Sequence, residues 1–262
     1  NAVYLYTRDL AQSIATYGPV YCWSTREITD MSWLFSSQSS FNGDISKWDT
    51  SSTTNMHGMF RGASSFNQPL NVNWFADYSD GVNFNSWNTS KVENMDRMFD
   101  GALVFNQPLS IVTSKVTSMY RMFGDAKSFN QPLSFDTSQV TRMDEMFYGT
   151  DVFNQMLEFD TSKVTSMGNM FKEAGQFQQL LSFDTSRVVT MYAMFQGAGL
   201  FNEQLNFDTR SVADMRRMFW QSEHFNQPLN FDTRSVTTFY GMFYDATSFN
   251  QPVSFNIGSV KA

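Results

Sequence analysis

Five aspartates recur at a fixed spacing and are the side chains best able to do chemistry. They are Asp136, Asp160, Asp184, Asp208 and Asp232, each 24 residues from the next. If stacked about 5 Å apart, these carboxylates repel by roughly 1 kcal/mol per neighbour in water, so the repulsion must be offset. Either each Asp accepts hydrogen bonds from the backbone of the Thr-Ser turn that follows it, or calcium binds between them. The Asp-x-Asp spacing of calcium-binding repeats is absent, so we predict turn capping and treat the five only as weak metal candidates.

Other catalytic or cofactor-binding patterns are missing from the sequence. The two histidines, His57 and His224, occupy unrelated positions, and Cys22 is the single cysteine, so neither a catalytic cluster nor a cysteine zinc site can form within the chain. No Gly-rich phosphate loop, nucleophile elbow or metalloprotease helix motif occurs. The 17 methionines fall mostly in Met-x-x-Met-Phe boxes at helical spacing, which indicates a core rather than a copper or haem site. We therefore expect no enzyme and no cofactor.

These residues belong to one recurring phrase, V-T-x-M-x-x-M-F-x-x-A-x-x-F-N-Q-P-L-S-F-D-T-S. The Phe that closes its Met–Phe box recurs every 24 residues from Phe99 to Phe243, and looser copies lie at Phe35 and Phe60. A period of this length is typical of stacked supersecondary units, each of which folds only against its neighbours.

Residues 129–152 show how one repeat is expected to fold. Leu133 and Phe135 alternate with polar residues, which predicts a short strand. Apolar residues at i, i+3, i+6 and i+7 over 140–147 predict a short helix that ends near Gly149. Stacking would then place equivalent residues in columns, with a spine of Phe side chains and a ladder of Asn side chains that satisfies buried backbone groups. The Asn column is interrupted once, by Gln178.

The domain boundaries follow from where the repeat begins and breaks. We predict an N-terminal helix and cap over residues 1–27 and the repeat array over 28–262, with an insert near residues 71–85. The last repeat is incomplete and carries no polar cap. This predicts that the natural polypeptide continues or that another subunit covers this end.

The insert is the main irregularity in the array, because the step from Phe60 to Phe99 is 39 residues instead of 24. It contains the aromatic residues Trp74, Phe75, Tyr78 and Phe84. Insertions in repeat arrays emerge as loops on one face, often the binding face. The alternative is a degenerate repeat folded over the sheet, and the sequence leaves both open.

The composition excludes two kinds of partner. The 262 residues carry a net charge of -7, with a pI near 4.8, which argues against a nucleic-acid groove and a basic membrane-binding face. No apolar run reaches the length of a membrane span, so we expect no direct membrane insertion. One glycosylation sequon is present at Asn88, in the same position of the repeat as the recurring aspartates.

Three short motifs that recur in the repeat resemble the BspA-like surface-protein repeat, which is also known as the mycoplasma-type lipoprotein repeat. They are Trp48-Asp49-Thr50-Ser51, Met56-His57-Gly58-Met59-Phe60 and Phe66-Asn67-Gln68-Pro69-Leu70, with their downstream copies. Residues 15–19 and 28–35 resemble the start of such arrays, so the resemblance covers about residues 15 to 262. It implies an α/β solenoid that is leucine-rich-repeat-like. In this chain that would be a right-handed stack of about nine 24-residue repeats, each with one short parallel strand and one short helix or helical turn.

The same resemblance implies surface display or adhesion, in bacteria, protists and algae, and transfers no catalytic residue. We therefore expect a non-catalytic, extracellular or cell-surface domain for adhesion or protein recognition. The expected contacts are the insert and the outward residues of the sheet face, namely Ser134, Glu158, Ser182, Asn206 and Asn230. The first alternative is a structural subunit of a filament or of an organellar complex in an alga or protist, self-assembling through the sheet face, the insert or the last repeat. The uncapped last repeat and the surface aromatic residues Trp220, Tyr240 and Tyr244 motivate this alternative. The second is calcium-dependent carbohydrate binding.

Overall fold

The chain begins with two short helices, followed by repeats that stack one upon the next. The computed structural model describes residues 2–70 and 87–260. Helix α1 spans Ala2–Arg8, helix α2 spans Leu10–Tyr17, and a single 3-10 turn follows at Val20–Cys22. The single helix expected at the N-terminus is two helices because Asp9 caps α2, accepting a hydrogen bond from the Gln12 N–H at 2.9 Å.

The N-terminal segment packs on the first repeat through aromatic rings. The Tyr6 ring meets the Phe41 ring edge-on at 5.9 Å between centroids and the Trp23 ring at 5.8 Å. Trp23 in turn stacks on Trp48 at 6.3 Å. These contacts cover the core of the first repeat, where Phe41 is only 2% exposed.

The repeats stack in a parallel register, one residue of each bridging to the next. The bridged pairs are Asp30–Asn55, Asn55–Asn94, Asn94–Ser118, Ser118–Arg142, Arg142–Ser166, Ser166–Thr190, Thr190–Asp214 and Asp214–Thr238. The residues joined are 24 apart wherever the sequence period is 24, so the period of the sequence is the register of the stack.

The Met–Phe box forms consecutive turns in the segment where a short helix is predicted. In the repeat with Phe147, the N–H groups of Met143, Glu145, Phe147 and Gly149 donate to carbonyls of the following repeat at 2.8 to 3.0 Å. Intervening N–H groups close turns within the repeat, as Met146 does onto the Met143 carbonyl at 3.3 Å. Glu145 and Gly149 have φ of 57° and 63°. Left-handed residues every fourth position are incompatible with an α-helix, and they turn every second N–H toward the next repeat.

The Leu-x-Phe segment is extended in its side-chain pattern but makes little backbone pairing in the described residues. Leu133 and Phe135 are each 6% exposed, whereas the alternating Ser134 and Asp136 lie at the surface. A single bridge, Leu109–Leu133, joins this segment between two repeats. Classification as a leucine-rich-repeat-like α/β solenoid therefore stays a prediction.

Two columns of phenylalanine rings form the centre of the core. Within one column, Phe147 stacks on Phe171 at 5.7 Å, and in the other Phe129 stacks on Phe153 at 6.0 Å. The columns touch each other, because Phe147 and Phe153 of the same repeat are 4.2 Å apart. Each fully buried Phe contributes about 1.5–3 kcal/mol, and aromatic pairing adds about 0.5–1.5 kcal/mol.

An asparagine ladder runs along the bend beside the Phe columns. The Oδ1 atom of Asn130 accepts from the backbone N–H of Asn154 at 3.0 Å and from the Gln155 side chain at 2.9 Å, both in the next repeat. Asn154 does the same for the Gln178 N–H at 3.1 Å. The side chain of Gln178 accepts no equivalent hydrogen bond from the next repeat, and the Asn202 N–H has no acceptor among the described residues.

The ladder predicts opposite effects for two substitutions in one column. Asn154→Ala removes the acceptor of two donors and should lower the free energy of unfolding by about 1–3 kcal/mol. Gln178→Asn supplies the missing acceptor for Asn202 and should raise it by about 0.5–1.5 kcal/mol. Urea unfolding followed by circular dichroism measures both. Gln178→Ala is the matched control and should be nearly neutral. A Gln178→Asn variant no more stable than Gln178→Ala contradicts the ladder as a source of stability.

Candidate functional site

Two surfaces of the stack present side chains to solvent in columns. The first contains the residues predicted as contacts on the sheet face. Ser134, Glu158, Ser182, Asn206 and Asn230 are all exposed and follow one another at the same position of successive repeats. Four of the five are small and uncharged, so this column offers little area for a tight contact. The insert residues Trp74, Phe75, Tyr78 and Phe84 lie outside the described residues.

The aspartate column on the same side caps turns, as the sequence predicted. The Ser138 N–H donates to Asp136 Oδ1 at 3.0 Å, and four further repeats make the equivalent bond at 3.0 to 3.2 Å. Where asparagine occupies the column the bond persists: the Ser90 N–H donates to Asn88 Oδ1 at 3.1 Å. The turn therefore requires the oxygen acceptor and not the charge.

Hydrogen bonding also determines the protonation of this column. The pKa of Asp136, Asp160, Asp184 and Asp208 lies below the ordinary value of 3.8, because each carboxylate accepts hydrogen bonds from the residue two positions on. For Asp232 the bonds from Arg234 lower the pKa to about 2. Neighbouring carboxylates raise the pKa of Asp184, but by less than its hydrogen bonds lower it. Among the described residues, no three His, Cys, Asp or Glu side chains are grouped so that they could hold a metal ion.

The threonine that follows each aspartate is buried and links the repeats. The Thr137 hydroxyl donates to the Asp160 carbonyl at 3.0 Å, and Thr161 donates to the Asp184 carbonyl at 2.9 Å. This fixes the backbone beneath the aspartate column. Asn88, the glycosylation candidate, is half-buried in the same column and its carboxamide oxygen is occupied by Ser90. Glycosylation there stays a prediction.

A second surface carries the larger side chains, and sequence reasoning singled out only three of them, Trp220, Tyr240 and Tyr244, as surface aromatic residues that favour assembly. We call it the turn face: the two residues between the methionines of each box and the two that follow its Phe. The five tyrosines that the structure describes beyond residue 27 all lie on it: Tyr120, Tyr148, Tyr192, Tyr240 and Tyr244. Trp33, Trp220 and several arginines accompany them. The signal was available in the sequence, because these positions vary between repeats while the rest of the phrase is nearly constant.

A charged network occupies the N-terminal half of the turn face. Asp100 is only 5% exposed, and its carboxylate meets Arg61 at 3.2 Å and Arg121 at 2.8 Å, with Arg97 at 3.9 Å. These residues line a cleft of about 340 Å³. Burial alone would lower the pKa of Arg121, but its bond to Glu145 and the charge of Asp100 hold that pKa above its ordinary value. The network balances the three arginines with three carboxylates, Asp100, Asp125 and Glu145.

Tyrosine rings on the turn face each contact two cations from neighbouring repeats. The centre of the Tyr120 ring lies 5.0 Å from the guanidinium of Arg97 and 4.0 Å from that of Arg142. The centre of the Tyr148 ring lies 4.6 Å from the guanidinium of Arg121 and 5.4 Å from the ammonium of Lys172. Cation–π contacts of this kind contribute about 0.5–2 kcal/mol and hold the rings in place at the surface.

The aspartate column predicts a defined loss of stability in acid. Because the folded-state pKa values lie below 3.8, this contribution is present above pH 4 and is lost as the pH falls toward 2. An asparagine side chain keeps the oxygen that accepts the hydrogen bond but does not titrate. Replacing the five column aspartates by asparagine should therefore lower the melting temperature at pH 7, because the charge-dependent part of the contribution is lost, and flatten its fall between pH 4 and pH 2.

Thermal melts of the wild type and of the fivefold variant from pH 7 to pH 2 make this measurement. Asp44→Asn is the matched control outside the column, since Asp44 accepts from the Ser46 N–H at 2.9 Å. Equal acid sensitivity of the wild type and the fivefold variant would show that other carboxylates govern it.

None of the helices in the described part of the chain has the length and apolar character of a membrane span.

The comparisons with known proteins give one match. Searches of curated protein sequences and of solved structures gave no match. The sequence profile of a family described as "Mycoplasma protein of unknown function, DUF285" matches three consecutive segments, residues 8–78, 72–182 and 176–262. This agrees with the expected mycoplasma-type repeat, and the chain belongs to the DUF285 family.

Proposed function

We propose that this chain is a non-catalytic repeat domain for protein recognition or adhesion, and that the turn face is its contact surface. The observation that carries the proposal is the concentration of Tyr, Trp and Arg at variable surface positions of an otherwise constant repeat. Trp33, Tyr240 and Tyr244 are exposed, and the other aromatic residues of the face are half-buried. These three residue types dominate the energetics of protein interfaces. Constant inward positions are accounted for by packing, but packing does not account for arginine and aromatic residues on the outside.

The geometry of the turn face supports stable contact with a partner. Its rings are pre-positioned by cation–π contacts and by the backbone ladder between repeats, so little side-chain entropy is lost on binding. Seven repeat-to-repeat steps separate Trp33 from Trp220, about 34 Å at about 4.8 Å per step. A strip of that length is consistent with a standard protein interface of about 800 Å² per partner.

The sheet face and the insert were the contacts expected from the sequence. The sheet-face residues, such as Ser134 and Ser182, are exposed but small, which suits weak and extended contact only. We therefore place recognition on the turn face, with the sheet face as a secondary surface. A leucine-rich-repeat-like α/β solenoid, a BspA-like relationship and an extracellular or cell-surface location complete the proposal, and they rest on the resemblance of the repeat words.

Selection from a random-peptide library tests the proposal without a known partner. Peptides selected on the immobilised wild-type protein should bind a turn-face variant, Tyr120→Ser with Tyr148→Ser and Tyr192→Ser, at least tenfold more weakly. A tenfold loss corresponds to about 1.4 kcal/mol, within the range of a single hot-spot residue. Affinities are measured by biolayer interferometry on proteins whose circular dichroism spectra match the wild type.

The matched control changes three residues of the sheet face, Ser134→Ala with Ser182→Ala and Asn230→Ala. It should keep the wild-type affinity within about twofold. If the selected peptides lose affinity for the control and keep it for the turn-face variant, recognition lies on the sheet face and the proposal is wrong.

Assembly into a filament or an organellar complex is the alternative proposal. At the last described repeat, Phe243, Phe249 and Phe255 are only partly buried, whereas the equivalent rings earlier in the stack are buried. A recognition domain should elute as a single species of 30.1 kDa in size-exclusion chromatography with light scattering. Obligate oligomers at micromolar concentration would favour assembly instead.

Calcium-dependent carbohydrate binding is the weakest alternative. The aspartates that motivated it already accept hydrogen bonds from their own turns. A calcium ion would need several oxygen ligands from neighbouring repeats at 2.3–2.6 Å. The column offers one carboxylate per repeat, so this alternative has less support than recognition through the turn face.

A further inference from the structure

The C-terminal part of the turn face contains a cation without a carboxylate partner. The guanidinium of Arg217 makes no ion pair and no hydrogen bond with any residue that the structure describes. The other cations of this face are paired, and so is Arg142 beside it. Arg61, Arg97 and Arg121 share Asp100, Arg142 pairs with Asp144, Lys172 with Glu173, and Arg216 with Asp214.

Aromatic rings surround this cation. Its guanidinium carbon lies 4.9 Å from the centre of the Trp220 ring and 5.9 Å from that of Tyr240. Trp220 stacks on Tyr244 at 4.2 Å with an angle of 24° between the planes. The rings of Tyr240 and Tyr244 remain 64% and 55% exposed. The four side chains form one patch that combines apolar area with an available cation.

The patch is held in shape by the backbone beneath it. A Cβ atom added at Gly241 would lie 2.6 Å from two carbons of the Trp220 ring, so only glycine lets the indole lie flat there. The Arg217 N–H donates to the Tyr240 carbonyl at 3.0 Å, and the Gln221 N–H donates to the Tyr244 carbonyl at 2.8 Å. The two repeats that supply the patch are therefore joined on both sides of the Trp220 ring.

A similar arrangement near the other end of the turn face differs in one respect. The Trp33 ring lies flat over Gly58, where an added Cβ would come within 2.5 Å of two ring carbons, and Arg61 lies 5.8 Å from the Trp33 ring. There the arginine is already neutralised by Asp100 at 3.2 Å. The two patches share the ring, the glycine and the arginine. They differ in whether the cation is free.

We propose that the patch formed by Arg217, Trp220, Tyr240 and Tyr244 binds a carboxylate-bearing segment of a partner protein. The carboxylate would accept from the guanidinium fork of Arg217, and the adjoining apolar side chain would pack on Trp220 and Tyr244. An arginine that stacks on aromatic rings keeps its in-plane donors available for bidentate binding of a carboxylate. One free cation suits one or two carboxylates and does not suit a long polyanion, which needs many cations. The inference rests on the proposed function and specifies what the turn face recognises.

Two matched peptides test it by NMR. The probes are acetyl-Glu-Leu-Glu-amide and its isostere acetyl-Gln-Leu-Gln-amide, titrated into the full chain labelled with ¹⁵N at Arg Nε and Trp Nε1. We expect the Glu probe to shift the Arg217 and Trp220 signals and to bind at least tenfold more tightly than the Gln probe. The Trp33 signal should not move, because its arginine is already paired.

The variants distinguish the contribution of the Arg217 guanidinium to binding from that of the aromatic rings. Arg217 has φ of 56°, a conformation that glycine adopts freely, so Arg217→Gly removes the side chain without strain. It should weaken the Glu probe at least tenfold, and Arg217→Lys should retain part of the binding. Gly241→Ala should weaken it by displacing Trp220. Arg187→Ala, an exposed arginine elsewhere on the chain, is the control and should change nothing.

Three outcomes overturn the inference: equal binding of the two probes, undiminished binding of the Glu probe by Arg217→Gly, or no shift at millimolar concentrations of the Glu probe. In each case the library-selected peptides decide the wider question. If they still lose affinity for the Tyr120, Tyr148 and Tyr192 variant, recognition by the turn face stands and only the acidic partner is rejected. If they do not, the proposed function fails as well.

Discussion

The hydrogen bonds between successive repeats are the constraint on which the other features of this protein depend. Every second N–H of the Met–Phe box donates to the carbonyl of the next repeat, as Phe147 does to Met170 at 3.0 Å. A shift of one residue would exchange the groups that point along the stack with those that close turns, and would move buried side chains to the surface. Each Met–Phe box must therefore keep the same conformation as the box of the neighbouring repeat.

That constraint separates the positions that must be constant from those that are free. The Phe columns, the box methionines and the Asn ladder pack or bond to the equivalent residue above and below, so a change in one repeat is felt in the next. Most turn-face side chains lie at the surface, where they contact one another through ion pairs and cation–π contacts and not through core packing. They can vary without disturbing the stack, and this freedom allows the face to carry Tyr148 in one repeat and Trp220 in another.

The two charged surfaces of the molecule behave differently for the same reason. In the aspartate column, five successive repeats present the same group, and each carboxylate accepts a hydrogen bond from its own turn, as Asp160 does from the Ser162 N–H at 3.0 Å. On the turn face, the charges come from different residue types in neighbouring repeats and pair across them, as Arg121 does with Asp100. A repeated identical group can serve stability, but a surface that differs from repeat to repeat can distinguish partners.

The sequence by itself determined the period, the inward Phe columns, the Asn ladder and the capping role of the aspartates, because each follows from one residue type recurring at one spacing. It did not determine the conformation of the Met–Phe box. Apolar residues at i, i+3, i+6 and i+7 suit a helix, but in the structure residues such as Glu145 are left-handed and their N–H groups bond to the next repeat. Only the tertiary structure decided this, because those acceptors are supplied by residues 23 positions further along the chain. It likewise decided which cations of the turn face are neutralised, since Arg61 reaches a carboxylate from the next repeat and Arg217 does not.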